Sequence, residues 1–91
     1  MKEFPILNLA ATGARIRELR IMSSLTVEQV RDFLGLESTQ AIYKWQRGEC
    51  MPSIDNLYAL AMLFGTSVDG ILRGSRGEGE KSSSFELRRV S

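Results

Sequence analysis

The sequence lacks histidine, contains one cysteine and two prolines, and has no long hydrophobic run. Without histidine it lacks the commonest general base and metal ligand, so neither catalysis nor a metal site is expected. Cys50 alone cannot form an internal disulfide, and we expect a buried, passive thiol. No stretch approaches the roughly 20 apolar residues of a membrane span, and charge and proline interrupt residues 1–8. A cytoplasmic protein without a leader is therefore expected.

Excess charge of either sign is also lacking, because the net charge is only +1 over 91 residues. Residues 1–72 carry seven basic and eight acidic side chains, and 73–91 carry five and three. Any anion-binding surface must therefore be local. The cations of the predicted first and third helices are Arg15, Arg17, Arg20, Lys44 and Arg47. The glycines within 74–79 lack the strand and the Lys-Ser/Thr ending of a phosphate loop, so no cofactor is expected.

Hydrophobic periodicity predicts five helices and no convincing strand in the first 72 residues, which indicates an all-α bundle. The predicted helices cover Leu9–Met22, Thr26–Leu34, Thr39–Arg47, the segment between Ser53 and Gly65, and a short segment after Ser67. Capping chemistry sets these limits. The expected N-caps are Thr26, Ser38, Ser53 and Ser67, and the expected terminating glycines are Gly35, Gly48 and Gly65.

Each helix is expected to bury one apolar face. In the first helix the face comprises Leu9, Ile16 and Leu19, flanked by Ala10, Thr12 and Met22, and in the second it comprises Val27, Val30, Phe33 and Leu34. In the third helix it comprises Ile42, Trp45 and Gln46, and in the fifth Val68, Ile71 and Leu72. The fourth helix is strongly apolar, with Ile54, Leu57, Tyr58, Leu60, Ala61 and Phe64. Gly13 inside the first helix costs about 0.5–1 kcal/mol relative to alanine, which a close helix–helix approach would justify.

The two termini differ in composition from the helical part. Residues 1–8 contain Phe4–Leu7, an apolar segment broken by proline, which predicts an extended arm or a frayed end. Residues 73–91 begin as a glycine- and serine-rich linker, and Phe85–Val90 then alternates apolar and charged residues like a short strand. The tail either pairs with the arm or is flexible. The predicted division is arm 1–8, helical domain 9–72, and linker and tail 73–91.

The third helix carries a mixed polar face. With its apolar residues inward, helical periodicity leaves Thr39, Gln40, Tyr43, Lys44 and Arg47 outward. Glutamine can bond adenine, lysine can reach guanine acceptors, and a threonine or alanine methyl can meet a thymine methyl, which suits a helix in the DNA major groove. The free amides at the start of the second helix, Thr26–Glu28, would attract a phosphate. An ordinary solvated helix face explains the same pattern equally well.

Two stretches, LTVEQVRDFLG and AIYKWQRGECMPSIDNLYALAMLFGTSVDGIL, resemble the helix-turn-helix domain of phage repressors and Cro, the XRE-like family. The resemblance covers roughly Thr12–Leu72. It implies a five-helix, lambda-repressor-like DNA-binding domain that acts as a dimer on a two-fold operator and regulates transcription. By position, the implied base contacts are Thr39, Gln40, Ala41, Tyr43 and Lys44. The implied phosphate contacts are Thr26, Val27, Arg47 and Gly48, and Arg20 is predicted to join them for the reason given next.

Three residues or segments depart from the family pattern. The turn 35–38 is one residue longer than is usual, which can shift the base contacts by one position. In the family a glutamate at the position of Gln46 normally pairs with an arginine, which is Arg20 in this chain. We expect an amide–guanidinium hydrogen bond in place of that ion pair, and this leaves Arg20 freer to reach a phosphate. Glu49 occupies an often basic position and should repel DNA locally. The remaining alternative is a protein-interaction module, an antitoxin or anti-repressor, whose tail Phe85–Val90 folds on a partner.

Overall fold

The computed structural model describes residues 6–74, and these form five α-helices. They are α1 (Leu9–Met22), α2 (Val27–Leu34), α3 (Gln40–Arg47), α4 (Ile54–Phe64) and α5 (Val68–Ile71). Within residues 6–74 there is no strand, only an isolated antiparallel bridge between Leu7 and Gly74. The predicted all-α, five-helix architecture is confirmed, with each helix starting within one residue of its expected position. No helix in this range is long and apolar enough to cross a membrane.

The helix limits follow from the predicted caps. Thr26 forms a capping box, in which its hydroxyl accepts from the Gln29 amide at 3.0 Å and its own amide donates to the Gln29 side chain at 2.8 Å. Gly35 ends α2 with φ +74°, a left-handed conformation that glycine adopts without strain. The hydroxyls of Ser53 and Ser67 cap α4 and α5 as expected.

The cap of α3 differs from its prediction. The N-cap position is Thr39, not Ser38, and the backbone of Thr39 is already near-helical, with no cap bond from its side chain. The Ser38 hydroxyl instead accepts from the Gln40 amide at 3.3 Å. Ser38 therefore supports the start of α3 from one residue earlier than a standard N-cap.

The core lies between α1, α3 and α4, with one face of α2 and of α5 closing it. Its buried apolar residues are Ile16, Leu19, Val27, Val30, Ile42, Trp45, Leu57, Leu60, Ala61 and Ile71. Several side chains that the pattern placed inward are exposed: Ala10, Met22, Phe33, Ile54 and Tyr58. They lie at helix ends or at the margins of an apolar face, where no described element packs over them.

Close contact between α1 and α3 depends on Gly13. A β-carbon at this position would lie 2.1 Å from the carbonyl oxygen of Trp45 and 2.8 Å from that of Gln46. Only glycine allows this approach, which confirms the expected reason for a glycine inside α1. The backbone of α3 is thereby seated directly on α1, and this contact fixes the position of the polar face of α3.

The ends of the described chain meet beside α1. The Asn8 amide donates to the carbonyl of Arg73 at 2.8 Å, and the buried Thr12 hydroxyl accepts from the Arg73 amide at 3.0 Å. The arm therefore contacts the first residues of the predicted linker. The predicted strand Phe85–Val90, and with it the tail as a protein-binding segment, lies outside the described residues.

Candidate nucleic-acid interface

Helix α3 has one buried face and one polar, solvent-exposed face. Ile42 and Trp45 anchor it in the core, and since they lie three residues apart they occupy the same side. Gln40 and Lys44 are exposed on the other side, and Tyr43 is 41% exposed. The structure thus places the amide, the phenol and the ammonium group together on the accessible surface of one rigid helix.

The other predicted base-contact residues are less accessible. Thr39 is half-buried at the start of α3, and Ala41 is half-buried and packs against the core. The methyl groups of these two residues can meet a ligand only at the edge of the polar face. Gln40 and Lys44 therefore provide the most accessible hydrogen-bonding groups on α3.

Arg47 at the end of α3 is held by an ion pair that the sequence pattern did not predict. Its Nε lies 2.6 Å from the Glu49 carboxylate, across the left-handed turn at Gly48. This hydrogen bond, aided by the attraction between the charges, raises the pKa of Arg47 and lowers that of Glu49. The pair is therefore ionised at neutral pH and is lost only as the pH falls through the lowered pKa of Glu49.

Gly48 itself has a structural role at this turn. Its amide donates to the carbonyls of Lys44 and Trp45, and a β-carbon here would lie 2.7 Å from the Cα of Ala10. The Gly48 amide is consequently already engaged within its own helix end. An anion at this end of α3 would have to be bound by the side chain of Arg47.

A second anion-binding feature lies at the start of α2. The first hydrogen bond within α2 is donated by Val30 to the carbonyl of Thr26, so the amides of Val27 and Glu28 precede it and are orphan donors. They open onto a cleft of about 440 Å³. The residues that line it are Arg20, Ile21, Ser24, Leu25, Thr26, Val27, Glu28 and Tyr43.

Arg20 is oriented toward this cleft by two hydrogen bonds. Its Nε donates to the side-chain oxygen of Gln46 at 3.0 Å, and its Nη1 donates to the carbonyl of Leu25 at 2.8 Å. The expected amide–guanidinium hydrogen bond is confirmed. Because both acceptors are neutral, the positive charge of Arg20 is not compensated by them, and the cleft combines this charge with the dipole of α2.

Arg15, one of the five cations noted in the sequence, is engaged elsewhere, and the prediction that Cys50 is buried is wrong. The Arg15 guanidinium donates to the carbonyl of Gly70 at 3.1 Å and pairs with Glu18 at 3.0 Å, so it belongs to the packing of α1 on α5. Cys50 is exposed, not buried, because it lies in the loop that follows Gly48. Among residues 6–74 there is no group of three or more His, Cys, Asp and Glu that could hold a metal ion.

Comparison with known proteins agrees with this geometry. The sequence profile of a family described as helix-turn-helix matches residues 16–71. A SPbeta prophage-derived uncharacterized HTH-type transcriptional regulator, YonR of Bacillus subtilis strain 168, is 27% identical over 66 residues, which cover 72% of this chain. The match spans 60% of that relative's length.

Solved structures show the same fold. The restriction-modification controller protein C.AhdI from Aeromonas hydrophila is similar with a TM-score of 0.62 and 27% identity, over 69% of this chain and 94% of that one. The clp gene regulator ClgR from C. glutamicum has a TM-score of 0.64 and 23% identity, over 77% and 88% of the two chains. The likeness to ClgR concerns the fold alone.

Proposed function

We propose a function for this chain, which belongs to the XRE-type helix-turn-helix family. The protein is a sequence-specific, DNA-binding transcriptional regulator in which α3 enters the major groove. The observation that carries this proposal is the polar face of α3, exposed on a helix whose other face is buried. The names of YonR as a transcriptional regulator and of C.AhdI as a controller protein support the assignment.

In this proposal the exposed side chains of α3 recognise the base sequence of the DNA. Gln40 donates to and accepts from adenine, and Lys44 donates to the N7 and O6 acceptors of guanine. Tyr43 belongs to α3 and also lines the cleft at the start of α2. It therefore lies between the base-reading and the phosphate-binding groups. Thr39 and Ala41 offer methyl groups to thymine at the edge of this face. Each well-formed contact contributes about 1–3 kcal/mol of discrimination between bases.

Phosphate contacts flank the base contacts on two sides. The Val27 amide, the Thr26 hydroxyl and Arg20 hold one phosphate in the cleft at the start of α2. Arg47 contacts another at the end of α3 once it leaves Glu49, and Gly48 contributes by setting that turn. Net charge is too low for strong non-specific binding, so recognition depends on these local contacts.

A charge at position 46 should change phosphate binding through Arg20. The substitution Gln46→Glu replaces a neutral acceptor of Arg20 by a carboxylate, which compensates the guanidinium charge in the cleft. We expect DNA affinity to fall about fivefold, on the order of 1 kcal/mol, with thermal stability kept or raised. Fluorescence anisotropy with a labelled duplex and a thermal melt measure both. If Gln46→Glu and the parent protein bound DNA with equal affinity, Arg20 would not be a phosphate contact.

Removal of the acidic group beside α3 should have the opposite effect. In Glu49→Gln the ion pair is lost, so Arg47 is free to bind a phosphate and the local repulsion of DNA disappears. We expect about fivefold tighter binding at low salt, and a salt dependence steeper by about one phosphate contact. Titration at several salt concentrations measures both quantities.

The chain offers a matched control for this substitution. Glu18→Gln also removes one negative charge and releases an arginine, Arg15, but it does so on α1 near the carbonyl of Gly70. It should leave DNA affinity within about twofold of the parent, because no phosphate contact is proposed there. If Glu18→Gln and Glu49→Gln tightened binding equally, the gain would reflect net charge and not the release of Arg47.

The proposed operator is two-fold and is bound by a dimer, in which each subunit places its recognition helix in one half-site. The division into an arm 1–8, a DNA-binding domain 9–72 and a linker with tail 73–91 also remains part of the proposal. Arg73 and Gly74 contact the arm and α1, so a truncated protein for binding studies should retain both residues.

A further inference from the structure

Helix α4 exposes an apolar stripe that the described part of the chain does not cover. Ile54 is 74% exposed, and Tyr58 and Met62 are each 62% exposed. These residues are four apart, so they follow one another along one side of the helix over about 12 Å. The adjoining face of α4 already buries Leu57 and Leu60 in the core. A helix that is apolar nearly all round is normally buried nearly all round.

We propose that this stripe is the surface through which a second copy of the chain binds. The inference rests on the proposed two-fold DNA recognition and assigns the contact that joins the subunits. The stripe is symmetric in sequence about Tyr58. Two antiparallel copies of α4 crossing there would pack Tyr58 against its counterpart, and Ile54 against Met62 of the second copy. Such self-matching is the requirement of an isologous interface.

The charges of α4 favour this occupant over others. The helix contains no lysine or arginine, so neither DNA nor an anionic membrane surface is attracted to it. Its single charged residue, Asp55, lies beside one end of the stripe. In the antiparallel pair the two Asp55 positions are about 9 Å apart along the axis, close to the distance at which physiological salt screens repulsion.

The size of the stripe indicates a weak dimer. Three exposed side chains form it, whereas a standard stable interface takes roughly 20–30 residues and 800 Å² from each partner. Association should therefore occur at micromolar or higher protein concentrations, and binding to two half-sites should reinforce it.

Sedimentation equilibrium of the full chain tests the proposal. We expect a monomer–dimer equilibrium whose dissociation constant rises at least about tenfold in Tyr58→Glu, since two carboxylates would meet at the two-fold. The matched control is Phe33→Glu, a change of another exposed aromatic residue, 53% exposed on α2, which should leave the equilibrium unchanged. A parent protein that stays monomeric, or equal effects of the two variants, would overturn the proposal.

Oxidative cross-linking gives a second, geometric readout. In a Cys50→Ser background, Tyr58→Cys should form a disulfide-linked dimer readily, because a residue on the two-fold meets itself. Ile54→Cys mixed with Met62→Cys should cross-link better than either alone. Efficient self-linking of Phe33→Cys and none of Tyr58→Cys would place the interface elsewhere. Binding of Tyr58→Glu to a single half-site should persist, so a failure of DNA recognition would be distinguishable from a failure of this interface.

Discussion

Gly13→Ala is expected to destabilise the domain by about 3 kcal/mol, near the upper end of overpacking effects. The added methyl group would lie 2.1 Å from a backbone oxygen of Trp45, and a helix backbone cannot move aside as a flexible side chain can. For a domain whose total stability is expected to be only about 5–15 kcal/mol, this is a large fraction. Chemical denaturation followed by circular dichroism measures it.

The control for Gly13 is a glycine whose surroundings are open. Gly35 has φ +74°, and a β-carbon added to it would meet no heavy atom within 4 Å. Gly35→Ala therefore costs only the left-handed conformation, about 1 kcal/mol. Gly13→Ala should be the more damaging of these two chemically identical changes. If the two substitutions had equal effects, α1 and α3 would not be in the close contact described above.

The double substitution Gln40→Ala with Lys44→Ala should abolish most sequence discrimination. Loss of two base contacts of about 1.5 kcal/mol each reduces the preference for the selected operator over a scrambled duplex by roughly 100-fold. Both side chains are exposed, so the thermal melting temperature should change little. Competition titration with the two duplexes gives the ratio of affinities directly.

Single variants separate charge from base recognition in this prediction. Gln40→Ala should reduce discrimination without changing the salt dependence, because it removes no charge. Arg31→Ala removes one positive charge from the other end of α2, where Arg31 pairs with Asp32 at 2.6 Å, and should leave discrimination intact. Retention of full discrimination by the double variant would show that other residues read the bases.

Much of this fold could be predicted because its signals are local. Thr26, Ser53 and Ser67 cap their helices through their own hydroxyls, and Gly35 and Gly65 end helices by their backbone freedom. Such features depend on neighbouring residues in the chain, so helix number and limits follow from sequence alone. The hydrogen bond between Arg20 and Gln46 was also predicted, from the family pattern and the chemistry of an amide.

The features that were missed depend on which element packs over which. The apolar pattern placed Phe33 inward, but no described element covers that edge of α2, and the same holds for Tyr58 on α4. Periodicity reveals that a residue is apolar, not that a neighbour exists to bury it. The pairing of Arg47 with Glu49 crosses a left-handed glycine turn, where helical spacing no longer indicates which side chains meet.

Selection of bound DNA from a random duplex pool tests the central claim, that α3 reads bases, most directly. We predict enrichment of a palindrome whose half-sites have centres about one helical turn, or a multiple of it, apart. The selected bases should include adenine or guanine positions that lose their preference when Gln40 or Lys44 is replaced by alanine. A folded protein that binds the pool without enriching any motif would contradict the proposed function.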